Sequence, residues 1–301
     1  MTTEPASRVD VFMIGASKCG TTSLAEGLNT LGPISTGTKK EPRYFSDPST
    51  MATPLAQYHA NYDAGRPLWL DASTTYSEVW KGKNERSALR IHDYCADAKI
   101  LMLVRHPMAR IISEWRQFVY LLDAGNPTIE PNYGVHAPKV FSQDIERFPD
   151  LLENSRYSRA LAPYVARFPE EHILVIPFEH LLTGHPEALD RLDGFLGLNG
   201  RLARGLCLRH SNSGSIKGTA NPLGRMLRRV PALRRLGAKL PLNVLRRIRP
   251  LIKRDPDTGL DVDACVLARC RDALQGDTRA FLARWGWDPA LYDDWAPFRN
   301  R

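Results

Sequence analysis

Nine consecutive residues near the N-terminus, Gly15-Ala-Ser-Lys18-Cys19-Gly20-Thr21-Thr22-Ser23, have the types and spacing of an anion-binding turn. They follow a short apolar run, Val9 to Ile14, and precede a helical pattern through Leu28 and Leu31. Backbone N–H groups at a helix start lack intrahelical partners, and the helix dipole favours negative charge there. Gly20 permits close backbone approach, Thr21, Thr22 and Ser23 add hydroxyl donors, and Lys18 adds a point charge. A nucleoside-triphosphate loop requires GxxxxGK[ST], with lysine directly after the second glycine and a hydroxyl for magnesium. Here Thr21 follows Gly20, and the lysine lies two positions before that glycine. This is a phosphate loop of another kind, without an evident magnesium seat. The plainer alternative, an ordinary strand–turn–helix connection with a solvated lysine, leaves so many donors at one helix start unexplained. Cys19 lies inside the loop, where a helix N-terminus is expected to lower its pKa and favour thiol modification.

A second anion ligand is Arg105, at the end of the apolar run Lys99 to Val104. Its planar fork suits a phosphate, and the carboxyl edge of a parallel sheet is where open α/β folds bind ligands. Ser113 lies two helical turns further on and adds a hydroxyl. The plain alternative for Arg105 is a surface salt bridge, and Arg110 is expected to be only a helix-surface charge.

These residues need a strand–helix alternation to position them. Strands are expected at Val9–Ile14, Pro67–Asp71, Lys99–Val104 and His172–Ile176. Helices are expected from Thr21, from Pro107 to about Leu122, from Leu151 to Phe168, over Pro186–Leu196 and over Val262–Trp285. Such alternation predicts an α/β fold with a central parallel sheet flanked by helices. Asp123–Pro138 and Asn212–Asn221 read as loops rich in turn formers. Residues 1–301 are read as a single domain.

The chain has 301 residues, 43% hydrophobic and 25% charged, a globular composition that excludes a mostly disordered chain. There is no apolar run of membrane-spanning length, and no basic-then-apolar leader, so a cytoplasmic location is the expectation. Five cysteines without a CxxC pair read as reduced thiols and imply no metal site. The net charge of +8 is uneven: residues 194–254 hold 15 Lys and Arg and no acid, whereas the rest carries 26 basic against 33 acidic residues. Within it, 225–254 interleaves 11 basic residues with apolar ones. The stretch reads either as solvated helices near an anionic ligand, or as a lid or a face toward the acceptor or anionic membrane lipid. Nucleic-acid binding fits poorly, because no reader motif is present.

The segment VFMIGASKCGTTSL resembles the 5′-phosphosulfate loop of sulfotransferases that use 3′-phosphoadenosine-5′-phosphosulfate (PAPS). Lys40-Glu41-Pro42-Arg43-Tyr44-Phe45 resembles a segment of the heparan-sulfate and bacterial branches. Leu103 to Arg116, with Arg105 and Ser113, is similar to the 3′-phosphate segment. Ser155-Arg156-Tyr157 matches the next block, and Lys217-Gly218-Thr219 a late loop that closes over the nucleotide. The blocks stand in family order and cover about Val9 to Pro222.

The resemblance implies a P-loop-like sulfotransferase fold, PAPS as donor, 3′-phosphoadenosine-5′-phosphate as product, no metal, and a hydroxyl acceptor. It implies Glu41 as general base, with Lys18 stabilising the leaving phosphate. It gives donor binding to Lys18, Cys19, Gly20, Thr21, Thr22, Ser23, Arg105, Ser113, Tyr157, Lys217, Gly218 and Thr219, with Tyr157 packing near the adenine. His106 lies beside the 3′-phosphate arginine, the wrong end for a base. Ala72 stands where the family often has lysine, and Thr219 where the heparan branch often has arginine. Both departures point to a small-molecule or lipid acceptor. Asp71, Ser73, Trp69 and Trp80 are candidate acceptor contacts. The competing readings are a kinase-like phosphoryl transferase and a non-catalytic basic module for lipid or nucleic acid.

Overall fold

Val11–Gly15 (β1) is buried at all five positions, and Lys99–Val104 (β4) at all but its first. A strand with no solvent-facing side must be covered on both faces of its sheet. The computed structural model describes residues 7–123, 139–206, 208, 219–220, 253–254 and 260–298. Five parallel strands run in the order β2-β3-β1-β4-β5, with β2 at Ile34–Ser35, β3 at Leu68–Asp71 and β5 at Ile173–Pro177. Val11 pairs with Leu70 on one side and Lys99 on the other, so β1 is central. From β1 the chain builds outward to β2 and β3 on one side, then to β4 and β5 on the other. The order therefore reverses at β1, and the ligand crevice of such a sheet opens beyond its carboxyl end.

The helices that serve the site start at those strand ends. Thr21–Thr30 (α1) follows β1, and Pro107–Asp123 (α5) follows β4 with proline at its first position. Between them lie two short helices, Pro48–Met51 (α2) and Leu55–His59 (α3), and Lys83–Tyr94 (α4). Next come Phe141–Arg147 (α6), Asp150–Glu153 (α7), Tyr157–Val165 (α8), Phe178–Thr183 (α9), Pro186–Leu196 (α10) and Arg201–Gly205 (α11). The last long helix is Ala264–Arg284 (α12), whose start is capped by Asp263 accepting from the Val266 N–H at 2.8 Å. Its Phe281 and Leu282 join the core around β1 and β4. Its Val266, Cys270 and Leu274 join a second apolar cluster with Ile111 and Trp115 of α5.

The expected helix over Leu151–Phe168 is broken into α7 and α8. Asn154 Oδ1 accepts from the Val79 N–H at 3.1 Å, and Ser155 Oγ accepts from Arg110 at 2.6 Å. These long-range bonds favour a turn there, and Arg156 leaves helical geometry with φ −81 and ψ 86. The strand expected fourth is the fifth, because β2 is only two residues long. A two-stranded antiparallel ribbon pairs Thr219 with Arg254 and Ala220 with Lys253, and its first strand lies against α5. Residues 124–138, 209–218 and 221–252 are outside the described residues, so the expected loops there, Lys217, Gly218 and most of the basic stretch are too. Among the described residues no helix is long and apolar enough to cross a membrane.

Candidate active site

The turn after β1 is pinned to the neighbouring strand: the Ala16 N–H donates to the Leu103 carbonyl at 2.7 Å, and the Cys19 N–H turns back to the Ala16 carbonyl at 3.2 Å. Gly20 then takes the left-handed conformation, φ 82, and α1 begins without a side-chain cap. A Cβ on Gly20 would lie 2.0 Å from the Phe178 ring. Glycine is thus required both by the backbone angle and by the ring packed on it. Thr21 and Ser23 are buried, whereas Thr22 is half-buried.

Arg105 arrives at the same place from β4. Its Nη1 donates to the Lys18 carbonyl at 3.4 Å, and its Nε lies 3.8 Å from Glu179 Oε1. One third of its side chain remains accessible, enough for a guanidinium edge to meet a ligand. Glu179, on α9, also accepts from the Tyr292 hydroxyl at 2.7 Å and from the His106 N–H at 3.3 Å. Ser113 is half-buried on α5.

Glu41 enters from the loop after β2. One cavity of about 180 Å³ is lined by Thr21, Thr22, Glu26, Thr38, Lys40, Glu41 and Ala72, among others. The structure thus brings Glu41 into one cavity with the start of α1. Glu41 Oε2 lies 3.1 Å from Arg43 Nη2, and Oε1 4.0 Å from Lys40 Nζ. Both cations are more than half exposed, so these pairs are weakly held and exchangeable. Ala72, standing in the expected lysine position, contributes only a methyl wall.

Several expectations are overturned. Cys19 is wholly buried, and desolvation pushes its thiol up to about 12, outweighing the nearby Arg110 and Arg105 charges. Burial outweighs the helix-start effect expected for this cysteine, and its thiol is shielded from solvent. Tyr157, expected near the adenine, has no exposed ring surface. It is fully buried, donates to the Arg105 carbonyl at 2.6 Å and accepts from the Arg105 N–H at 3.2 Å. It braces the Arg105 backbone from behind. Arg110 is no surface charge: it is 1% exposed and bonded to Ser155, to the Leu151 carbonyl and to Glu114 at 3.0 Å. Asp71, Ser73 and Trp69, the candidate acceptor contacts on and beside β3, are buried. His106 is buried among Tyr292, Trp295 and Phe298, and burial lowers it to about 4, so it is neutral.

The sequence did not single out Phe178, Glu179 or Tyr292. The Pro177-Phe178 pair at the end of β5 was the one available signal, since it places an aromatic at the same carboxyl edge. Among the described residues no group of three or more His, Cys, Asp or Glu could hold a metal ion.

Comparison with known proteins identifies the family and the fold. A family model described as a sulfotransferase domain matches residues 8–212. The chain is 26% identical over 188 residues to heparan sulfate glucosamine 3-O-sulfotransferase 6 of Homo sapiens, covering 62% of this chain and 52% of that protein. It is 24% identical over 203 residues to heparan sulfate glucosamine 3-O-sulfotransferase 5 of Mus musculus, covering 64% and 54%. The chain spans about half the length of these curated relatives. A solved sulfotransferase from Alicyclobacillus acidocaldarius matches it with TM-score 0.60 at 19% identity, covering 96% of this chain and 100% of that one, which is a likeness of fold. The matched segment runs from β1 past α11 and carries the Lys18 turn, Glu41 and Arg105, and the chain belongs to the sulfotransferase domain family.

Proposed function

We propose that this chain transfers a sulfuryl group from PAPS to the hydroxyl of a small-molecule, glycan or lipid acceptor. The observation that carries the reading is the shared cavity that places Glu41 beside Thr21 and Thr22. In the proposed step the acceptor oxygen attacks sulfur while its proton passes to the Glu41 carboxylate. The new O–S bond forms as the S–O bond to the 5′-phosphate breaks. The electron pair stays on the phosphate oxygen, where Lys18 and the donors at the start of α1 stabilise it. Arg105 and Ser113 hold the 3′-phosphate, with Thr219 and the residues before it closing the nucleotide. Much of the rate then comes from positioning two bound substrates in line.

The donor fits what the residues offer. The left-handed Gly20 and the uncapped start of α1 suit a phosphate-bound sulfuryl group, and the accessible edge of Arg105 suits a second phosphate. We also propose that residues 1–301 act as one sulfotransferase domain, since α12 shares its core with β1. Transfer of label from PAPS to a panel of glycan, lipid and phenolic acceptors tests the activity. Glu41→Gln is expected to abolish transfer and to leave binding of 3′-phosphoadenosine-5′-phosphate within twofold of the unaltered protein. Near-normal turnover by that variant moves the base elsewhere.

A further inference from the structure

Glu41 and Arg43 both hold left-handed backbone angles, φ 51 and φ 57, although neither is glycine. Such angles persist only where the surroundings over-determine them, and the surroundings here converge on one buried carboxylate. The Arg43 N–H donates to Ser73 Oγ at 2.9 Å, and Ser73 Oγ donates to Asp71 Oδ1 at 2.6 Å. The Phe45 N–H donates to the Tyr76 hydroxyl at 3.3 Å, and that hydroxyl donates to Asp71 Oδ2 at 2.8 Å. Asp71 thus orients two hydroxyls, each of which receives a backbone N–H from the segment that carries Glu41. A third donor, the Tyr58 hydroxyl, meets Oδ2 at 2.7 Å, so the carboxylate is fully committed and cannot swing away. Thr75 adds a contact to Ser46 at 2.7 Å.

We propose that Asp71 is a positioning residue for Glu41, fastening the segment around it through Ser73 and Tyr76 so that its carboxylate faces the acceptor hydroxyl. This deepens the proposed function and rests on the reading of Glu41 as base. Asp71 is wholly buried and touches no substrate itself. Its location still fits the role, because Glu41 lies near enough for its charge to raise the proton affinity of Asp71. Ordinary core packing does not account for the arrangement. A buried carboxylate is disfavoured unless its hydrogen bonds are met, and two of the three donors that meet this one are spent on holding Arg43 and Phe45.

The test uses the full chain and reads kcat, donor KM and binding of 3′-phosphoadenosine-5′-phosphate for Ser73→Ala, Ser73→Thr and Asp71→Asn beside Glu41→Gln. Ser73→Ala is expected to lower kcat about tenfold with nucleotide affinity within twofold. Ser73→Thr, which keeps the hydroxyl, is expected to recover most of that loss. Where Asp71→Asn does not fold, the Ser73 pair decides alone. Normal kcat in Ser73→Ala beside an inactive Glu41→Gln overturns this proposal and leaves the base assignment standing. Parallel loss of kcat and nucleotide affinity overturns it too, since a merely structural role predicts that pattern. Normal turnover by Glu41→Gln removes the base and this proposal together.

Discussion

The Arg105 guanidinium donates to the Lys18 carbonyl at 3.4 Å, so the turns after β4 and β1 form one unit at the sheet's carboxyl edge. In the proposed function Lys18 and Arg105, far apart in sequence, serve the two phosphate ends of one nucleotide, and this contact brings the segments that carry them together. Arg105→Lys keeps the charge but loses the planar fork. 3′-Phosphoadenosine-5′-phosphate is expected to raise the melting temperature of the unaltered protein more than AMP does. In Arg105→Lys that difference is expected to collapse while the unliganded melting temperature moves little, because the pair with Glu179 is long and one-third exposed. Equal shifts for the two nucleotides in the unaltered protein would take the 3′-phosphate away from Arg105.

The elements legible in the sequence are those whose burial is one-dimensional. β1 and β4 are continuous apolar runs, and Pro186–Leu196 is framed by a proline at its first turn and Gly197 at its left-handed end. Helix α4 escaped, because half of its buried face is polar, with Asn84 and Ser87 beside Ala88 and Ile91, and because Gly82 gives no capping signal. The two residues of β2 are too few for any period. At the site, the placement of Lys18, Gly20 and Arg105 at strand ends was readable. The burial of Arg110 was not, since arginine is buried only when distant partners meet it, here Ser155 and Glu114. Nor was the Asp71 network readable, which draws on Tyr58, Ser73 and Tyr76 from both sides of β3.

Gly20→Ala places a methyl 2.0 Å from a rigid ring and demands φ 82 of a residue with a Cβ. The combined overlap and backbone strain are expected to destabilise the fold by roughly 3 kcal/mol and to weaken nucleotide binding at the distorted turn. Phe178→Ala in the same chain relieves the overlap but not the strain, so it is expected to recover only part of the nucleotide binding. Urea unfolding with and without 3′-phosphoadenosine-5′-phosphate measures both. Full recovery of binding in the double variant would show that the ring alone demands the glycine.

Cys19 lies in the turn after β1 yet is shielded from solvent and held as a thiol, its affinity for the proton raised to about 12 by burial. At pH 8 about one molecule in ten thousand carries the thiolate there. Iodoacetamide under native conditions is expected to label the exposed Cys265 and to spare Cys19, Cys95 and Cys270 until the chain unfolds. Peptide mapping after a timed reaction checks this. Early labelling of Cys19 would show that the turn opens on that timescale.

The buried Asp71 carboxyl makes stability depend on pH in a direction opposite to that of a salt-bridged acid. Burial raises it from its ordinary 3.8 to about 6, against the pull of the Ser73, Tyr58 and Tyr76 hydroxyls. A folded-state value above the unfolded one means that the folded chain binds the proton more tightly. Its stabilising contribution is therefore complete below 3.8 and is lost as pH rises through 6. From pH 8 to pH 5 the unaltered protein is expected to gain about 1.4 kcal/mol relative to Asp71→Asn, which has no proton to take up. Paired urea titrations at pH 5, 6, 7 and 8 measure the difference directly and cancel the titrations common to both chains. A difference that stays flat would mean that the three hydroxyls hold the carboxylate ionised throughout, so that hydrogen bonding outweighs desolvation at this site.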